Sequence, residues 1–405
     1  MPRLLGLIVA LPLLAIAFDT VQELESRANA LKSKGDAAGA LAVYEEAARL
    51  DPKSAHFQDE IGFLLAVLNR RAESLQHFHS AIDLDPQFAP ARFHLGVALW
   101  LDQDQAHALE QLQAAVALDP KNPAYQSKLG QALEATGQHQ DAIPHLRAAI
   151  ELQPADAVAW NNLGAALQKT GDYPGAVDAF RRAVDLQPNN LDAHNSLGLM
   201  LVYTRRADEG IAEFQKVLAA APDNNTARFN LGYAYLQKDE LDRAIETFHG
   251  LLARDPENAA AHYNLGVALK NKDDIDAAKS ELSRALQIDP QLAEAHYMIG
   301  IACWQSGDFD GAIKEMRAAV ALRSDYAQAY FMLGTALKQK GETAPAEEAL
   351  RTAIRLDPSD PGPYNTLAVI LRQKGQTEEA QRLFAEGAKA KAAKESELGL
   401  RMERK

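Results

Sequence analysis

Cysteine occurs once in the 405 residues, as Cys303, so no intramolecular disulfide can form. Positive charge is in deficit: 42 Lys and Arg face 55 Asp and Glu, a net charge of −13. Phosphate binding needs a concentrated basic face, and none appears before the locally basic last segment, so nucleic acid is not an expected partner. The chain has no glycine-rich phosphate loop, no GxSxG elbow and no CxxC pair, and its eleven histidines lack zinc spacing. Catalysis, cofactors and metals therefore have no residues to rest on, and none is expected. Residues 4–16 form an apolar run, but a membrane span needs about 20 such residues. Pro-, Gly- or Ser-rich linkers are missing as well, which argues against separate domains.

What the chain does have is a period. Proline stands at 52, 86, 120, 154, 188, 222, 256 and 290, always 34 residues apart, and the register continues to Pro358 with Ser324 in the gap. Such a period marks units that bury their apolar faces only by stacking on one another. Taking each proline as place thirty-two gives eleven frames, starting at 21, 55, 89, 123, 157, 191, 225, 259, 293, 327 and 361. Glycine fills place eight from Gly62 to Gly334, with Ala28 and Ala368 at the ends. Leucine dominates place eleven. Alanine dominates place twenty, broken by Ser74 and Gly210, and a large apolar residue such as Phe180 follows at twenty-four.

Places four, seven, eight and eleven share one helical face, and twenty, twenty-four and twenty-seven share another, so each unit reads as two amphipathic helices. Between them, place fifteen carries Gly35, Gly137, Gly171, Gly307, Gly341 and Gly375, with Asn69, Asp239 and Asp273 as tolerant substitutes. These residues accept positive φ, which predicts a tight turn and an antiparallel hairpin. Pro90, Pro123, Pro174 and Pro345 fall at helix starts, where a missing N–H costs little. Pro144 is placed within the first turn of its helix, with a slight distortion.

One frame shows the whole pattern: Trp160, Leu163, Gly164, Leu167, Ala176, Phe180, Ala183 and Pro188. It resembles the signature of the tetratricopeptide repeat (TPR) family, and the resemblance covers roughly residues 21–394. It implies an all-α fold, a right-handed α-solenoid superhelix of antiparallel helix pairs, whose first helices line a concave groove that holds peptides or partner proteins. The expected organisation is a signal peptide over 1–17, a continuous array over 18–394, and a basic tail or capping helix over 395–405.

The leader reading rests on Arg3, the apolar run, and the small-x-small pattern Ala15-Ile16-Ala17. It predicts an exported, periplasmic or extracellular protein, without stable membrane insertion after cleavage; an uncleaved N-terminal anchor is the alternative. Export without disulfides fits a bacterial envelope. Cys303 sits at apolar place eleven and reads as a small buried residue. His194, His262 and His296 recur at place four, at the repeat spacing, and read as framework rather than metal ligands.

The resemblance implies that places two, five, nine, twelve and thirteen form the inner wall. Place five carries Phe229, Tyr263, Tyr297 and Phe331 in four consecutive repeats. Tyr233 at nine and Trp304 at twelve extend this strip, and Lys270, Lys338 and Arg372 at twelve add cations. A secondary patch is Phe93 with Trp100. Such a wall suits a peptide with apolar and acidic side chains, although the same aromatics can brace neighbouring helices. Relatives that grip a C-terminal carboxylate place lysine at five and asparagine at nine of the first repeat. Here Asn29 is present but Glu25 replaces the lysine, so no such clamp is expected.

The expected function is a non-catalytic scaffold that binds a protein or peptide in its groove and assembles an envelope or secretion complex. The alternatives are a structural spacer or self-assembling element, and a non-catalytic subunit of an enzyme complex such as a glycosyltransferase.

Overall fold

The computed structural model describes residues 7–403, with side chains over 20–396. Its described elements are all α-helices, two to a repeat. Contacts divide the chain into two compact units, Met1–Thr204 and Arg205–Lys405.

The first unit contains α1 (Leu7–Ser33), α2 (Ala37–Leu50), α3 (Ala55–Val67), α4 (Arg71–Leu84), α5 (Ala89–Leu101), α6 (Gln105–Leu118), α7 (Pro123–Ala135), α8 (His139–Leu152), α9 (Ala157–Thr170), α10 (Tyr173–Leu186) and α11 (Leu191–Tyr203). The second contains α12 (Ala207–Ala220), α13 (Asn225–Gln237), α14 (Leu241–Leu252), α15 (Ala259–Asn271), α16 (Ile275–Ile288), α17 (Ala293–Gln305), α18 (Phe309–Leu322), α19 (Ala327–Gln339), α20 (Thr343–Leu356), α21 (Pro361–Gln373) and α22 (Thr377–Glu403). Of the expected leader, residues 1–6 lie outside the described residues, and α1 runs unbroken past Ala17.

Local chemistry sets each boundary. All six place-fifteen glycines take φ between 79° and 85°, which ends the first helix and reverses the chain. Asn69, Asp239 and Asp273 follow at 59–63°, and so do Gln103 at 65° and Arg205 at 62°. The hairpin imposes this conformation even where the residue resists it. Side-chain caps start the helices: Asn122, Asp156 and Asn258 at place thirty-four accept from first-helix N–H groups, and Asp36, Asp172 and Asp308 at place sixteen do the same for second helices. Such a cap is worth about 1 kcal/mol. Pro144 departs from expectation: it is the sixth residue of α8, past the first turn, where it removes the bond to the Gln140 carbonyl, yet the helix continues.

Place four has a role that the sequence pattern did not disclose. Arg92, Gln126, Trp160, His194, Arg228, His262 and Tyr364 each reach back six residues to the carbonyl oxygen of the preceding place-thirty-two proline, at 2.6–3.3 Å. The proline therefore stops the second helix and also presents an acceptor that staples the inter-repeat turn. The same place bridges the hairpin, since Nδ1 of His262 and His296 lies 2.6 and 2.7 Å from the place-twenty-three carboxylates of Glu281 and Glu315.

Cores form where small residues face large ones. Gly164 is packed so closely that an added Cβ would stand 2.8 Å from the Phe180 ring, and Phe180, Ala176 and Leu163 are buried around it. Within the first unit α3 touches α5 and α7 touches α9; within the second, α13, α15, α17, α19 and α21 touch in succession. Among the described residues no pair of second helices makes comparable contact. First helices are thus crowded on the inner side of each unit.

Candidate functional site

The inner side of the first unit carries an apolar recess of about 380 Å³. Phe93, Val97 and Leu101 form one i, i+4, i+8 stripe along α5, and Phe63 and Val67 form a parallel stripe on α3. Phe78 of α4 closes the floor and Lys128 of α7 stands at the wall. Val67 and Leu101, 34 residues apart, are 58% and 62% exposed. Burying such a side chain fully contributes about 1.5–3 kcal/mol, so two of them left wet beside a recess form a surface that gains by being covered.

The charges around this recess are unevenly paired. Asp59, 2% exposed, accepts from His94 Nδ1 at 2.8 Å. Lys32 pairs with Glu60 at 2.5 Å and lies 5.0 Å from the centre of the Phe63 ring. Arg71 pairs with Asp102 at 3.3 Å. Lys128 is half-buried, donates to the neutral Gln131 Oε1 at 2.9 Å, and has no carboxylate partner among the described residues. Burial holds its pKa below the usual lysine value. A smaller recess of about 90 Å³ adjoins through Ala66, Ala98 and Leu101, and in it Ser74, 1% exposed, has a hydroxyl oxygen without a partner.

In the second unit the expected strip is half-buried along its length, and its rings pair within repeats. Phe229 meets Phe248 at 5.9 Å, Tyr297 meets Tyr326 at 5.0 Å, and Trp304 meets Phe309 at 5.0 Å between centroids. Phe331 lies against Gly362, where a Cβ would come within 2.7 Å of the ring. Tyr263, Tyr297, Trp304 and Phe331 all pack on the core. Arg323 stacks on Tyr326 at 3.4 Å and pairs with Glu294, and burial pushes Tyr326 up to about 12. Tyr233, Lys270 and Lys338 are half-buried, while Arg372 is exposed, 5.8 Å from the Phe384 ring centre. Phe229 also borders a recess of about 360 Å³ with Asn225, Asp255 and Asn258.

The repeat geometry has counterparts among known families. Residues 23–154 and 127–190 match two families, each described as tetratricopeptide repeat, and residues 202–399 match the cilia and flagella-associated protein 70 C-terminal domain. The chain is a tetratricopeptide repeat protein. A tetratricopeptide repeat protein from Parabacteroides merdae shares the fold at 15% identity, with 62% of this chain and 98% of that one covered and a TM-score of 0.51. The structure of the APC/C hetero-tetramer Cut9-Hcn1 does so at 14% identity over 85% and 88%, with a TM-score of 0.51. YrrB, a TPR protein with an unusual peptide-binding site, matches at 22% identity over 45% and 95%, with a TM-score of 0.43. No curated protein matches the sequence.

Within this TPR array the secondary patch divides. Both pack on the core, but only Phe93, 4.7 Å from the Tyr125 ring, also lines the recess. The carboxylate-clamp positions are engaged internally, Asn29 accepting from the Tyr44 hydroxyl at 2.8 Å and Glu25 contacting His56 at 3.0 Å. Phe63, Val67, Val97 and Leu101 were not anticipated from the sequence. A signal for them exists at place thirteen, where Val67 and Leu101 stand while most later TPR units are polar (Lys169, Gln237, Asn271, Gln305, Gln339 and Gln373), Ala135 and Tyr203 being the exceptions.

Proposed function

We propose that this protein is a non-catalytic TPR scaffold that captures a segment of a protein partner on its first-helix face, anchored in the α3–α5–α7 recess. The supporting observation is the exposure of Val67 and Leu101 side by side over an apolar hollow, since contiguous exposed apolar surface marks interaction sites. The half-buried row Phe229, Tyr263, Tyr297 and Phe331 is a second stretch of the same kind of face, each ring anchored in the core with an edge left for a ligand.

The leader-like pattern of residues 1–17 supports work outside the cytoplasm, in assembly of an envelope or secretion complex. Among the described residues no helix is long and apolar enough to cross a membrane. N-terminal sequencing of the chain from fractionated cells tests export: a start at Phe18 supports it, and an intact N-terminus in the membrane fraction supports the anchored alternative.

Binding is tested by selecting a random dodecapeptide library against the full chain and against a Val67→Glu/Leu101→Glu variant. Both side chains are mostly exposed, so the variant keeps its helicity and thermal transition. Peptides retained by the unmodified chain and lost with the variant support the recess as the site. Equal retention, with alanine at Phe229, Tyr263, Tyr297 and Phe331 abolishing it, moves the site to the second unit. No selected peptide, with concentration-dependent growth in light scattering, favours a self-assembling spacer.

A further inference from the structure

The recess is apolar but its surroundings are not neutral. Three cationic side chains, Lys32, Arg71 and Lys128, border it or lie at its edges, and His94 stands among them. Lys32 is matched by Glu60 and Arg71 by Asp102, while His94 contacts the buried Asp59. Lys128 has only an uncharged amide oxygen 2.9 Å away. A half-buried ammonium beside apolar surface keeps few of its water contacts, and a neutral acceptor recovers only part of what it loses. Among these cations Lys128 is therefore the one without a carboxylate at contact.

Resting on the reading of the recess as a peptide site, we infer that it selects a segment in which a large apolar side chain is flanked by an acidic one. The apolar side chain sits between Phe63, Phe93, Val97 and Leu101, and the carboxylate accepts from Lys128 Nζ. Volume agrees: about 380 Å³ lies at the small end of ligand sites, enough for one or two large side chains rather than a long apolar ligand.

The net charge of −13 opposes this choice at long range. At physiological ionic strength, however, exposed charges beyond about 8 Å are largely screened, whereas a half-buried pair at contact is screened much less. The local pairing wins over the global repulsion. Lys128 thus sets the partner's flanking charge while the aliphatic stripes provide most of the affinity.

The test uses the same dodecapeptide library on the full-length chain and a Lys128→Gln variant, followed by fluorescence anisotropy on one selected peptide and its Glu→Gln counterpart. Sequences selected by the unmodified chain are expected to carry Asp or Glu within four residues of an aromatic or leucine. Neutralising that acidic residue is expected to weaken binding about tenfold, the effect of a single charge-assisted hydrogen bond discounted for partial exposure. With Lys128→Gln the same neutralisation should cost nothing further, because the partner charge is already gone.

Groove-dependent peptides without acidic enrichment, or an undiminished preference for Glu over Gln in Lys128→Gln, overturn the charge selection and leave the recess as a site. Failure to select any peptide that depends on Val67 and Leu101 overturns both. An acidic preference that moves instead with Lys338→Gln, in the second unit, assigns the charge selection elsewhere and refutes it here.

Discussion

Replacing Ser74 by alanine removes a hydrogen-bonding group and should nevertheless stabilise the protein. Place twenty seats its side chain in the closest approach of the two helices, where Ala40, Ala108, Ala142 and Ala176 are fully buried. Ser74 occupies that seat with its hydroxyl buried and without a partner. An unsatisfied buried polar group costs about 1–3 kcal/mol. The adjoining 90 Å³ recess exceeds the roughly 10–15 Å³ that one water requires, so hydration offsets part of that cost and places the gain near about 1 kcal/mol. For a cooperative unit of this size that corresponds to about 2–4 °C in Tm. Differential scanning calorimetry on the unmodified chain and Ser74→Ala should show the shift in the transition of the first unit. Ala108→Ser, which buries a new hydroxyl at the equivalent seat, should move it the other way. A fall in Tm on Ser74→Ala, or no change, would refute the assignment of Ser74 as an uncompensated polar group.

Gly164→Ala should destabilise despite the helix-propensity gain of about 1 kcal/mol, because the new Cβ would stand 2.8 Å from the Phe180 ring and overpacking costs about 1–3 kcal/mol; urea denaturation followed by circular dichroism measures the balance. The Nδ1 atoms of His77 and His145 lie 2.7 Å from the amide oxygens of Gln58 and Gln126, and burial holds both histidines below the ordinary value. Because the folded pKa lies under the unfolded value of about 6.5, their contribution is complete above that pH and lost as pH falls through the folded value. Thermal melts between about pH 7 and pH 5 should therefore show falling stability, less steeply for His77→Gln/His145→Gln. Cys303, 6% exposed with burial pushing its thiol up, should react slowly with a thiol reagent at neutral pH and fast once the chain is unfolded in urea; equal rates would contradict its buried setting.

Much of this architecture is written in the sequence because a repeat samples the same physics many times. Proline at place thirty-two and glycine at fifteen are backbone requirements, so they mark the helix ends directly, and Gly171 and Gly341 take the positive φ that their position implies. Gln103 and Arg205 give no signal at place fifteen because nothing in their chemistry favours that conformation; the flanking helices impose it. The place-four staple was hidden differently. Arginine, glutamine, tryptophan, histidine and tyrosine share only a donor and enough length, a likeness that residue identity does not display. The recess was illegible for a third reason. Its rows come from two helices 34 residues apart, and the aromatic residues that mark interfaces most visibly concentrate in the second unit, whereas the more exposed surface is aliphatic. Lys128 reads as an ordinary surface lysine until its neighbours are known.

The staple between place four and the preceding proline also bears on assembly. A chain of units that share one framework runs the risk of pairing out of step, with one repeat docked against the wrong copy of its neighbour. A bond spanning six residues needs only the two ends of one inter-repeat turn, so at those seven junctions the local chain alone supplies it. Five kinds of side chain make this bond at seven junctions, so the junction geometry survives sequence drift. Place four is thus open to new chemistry at little risk to register, and in this chain it already carries four kinds of ring or guanidinium at the inter-repeat turns.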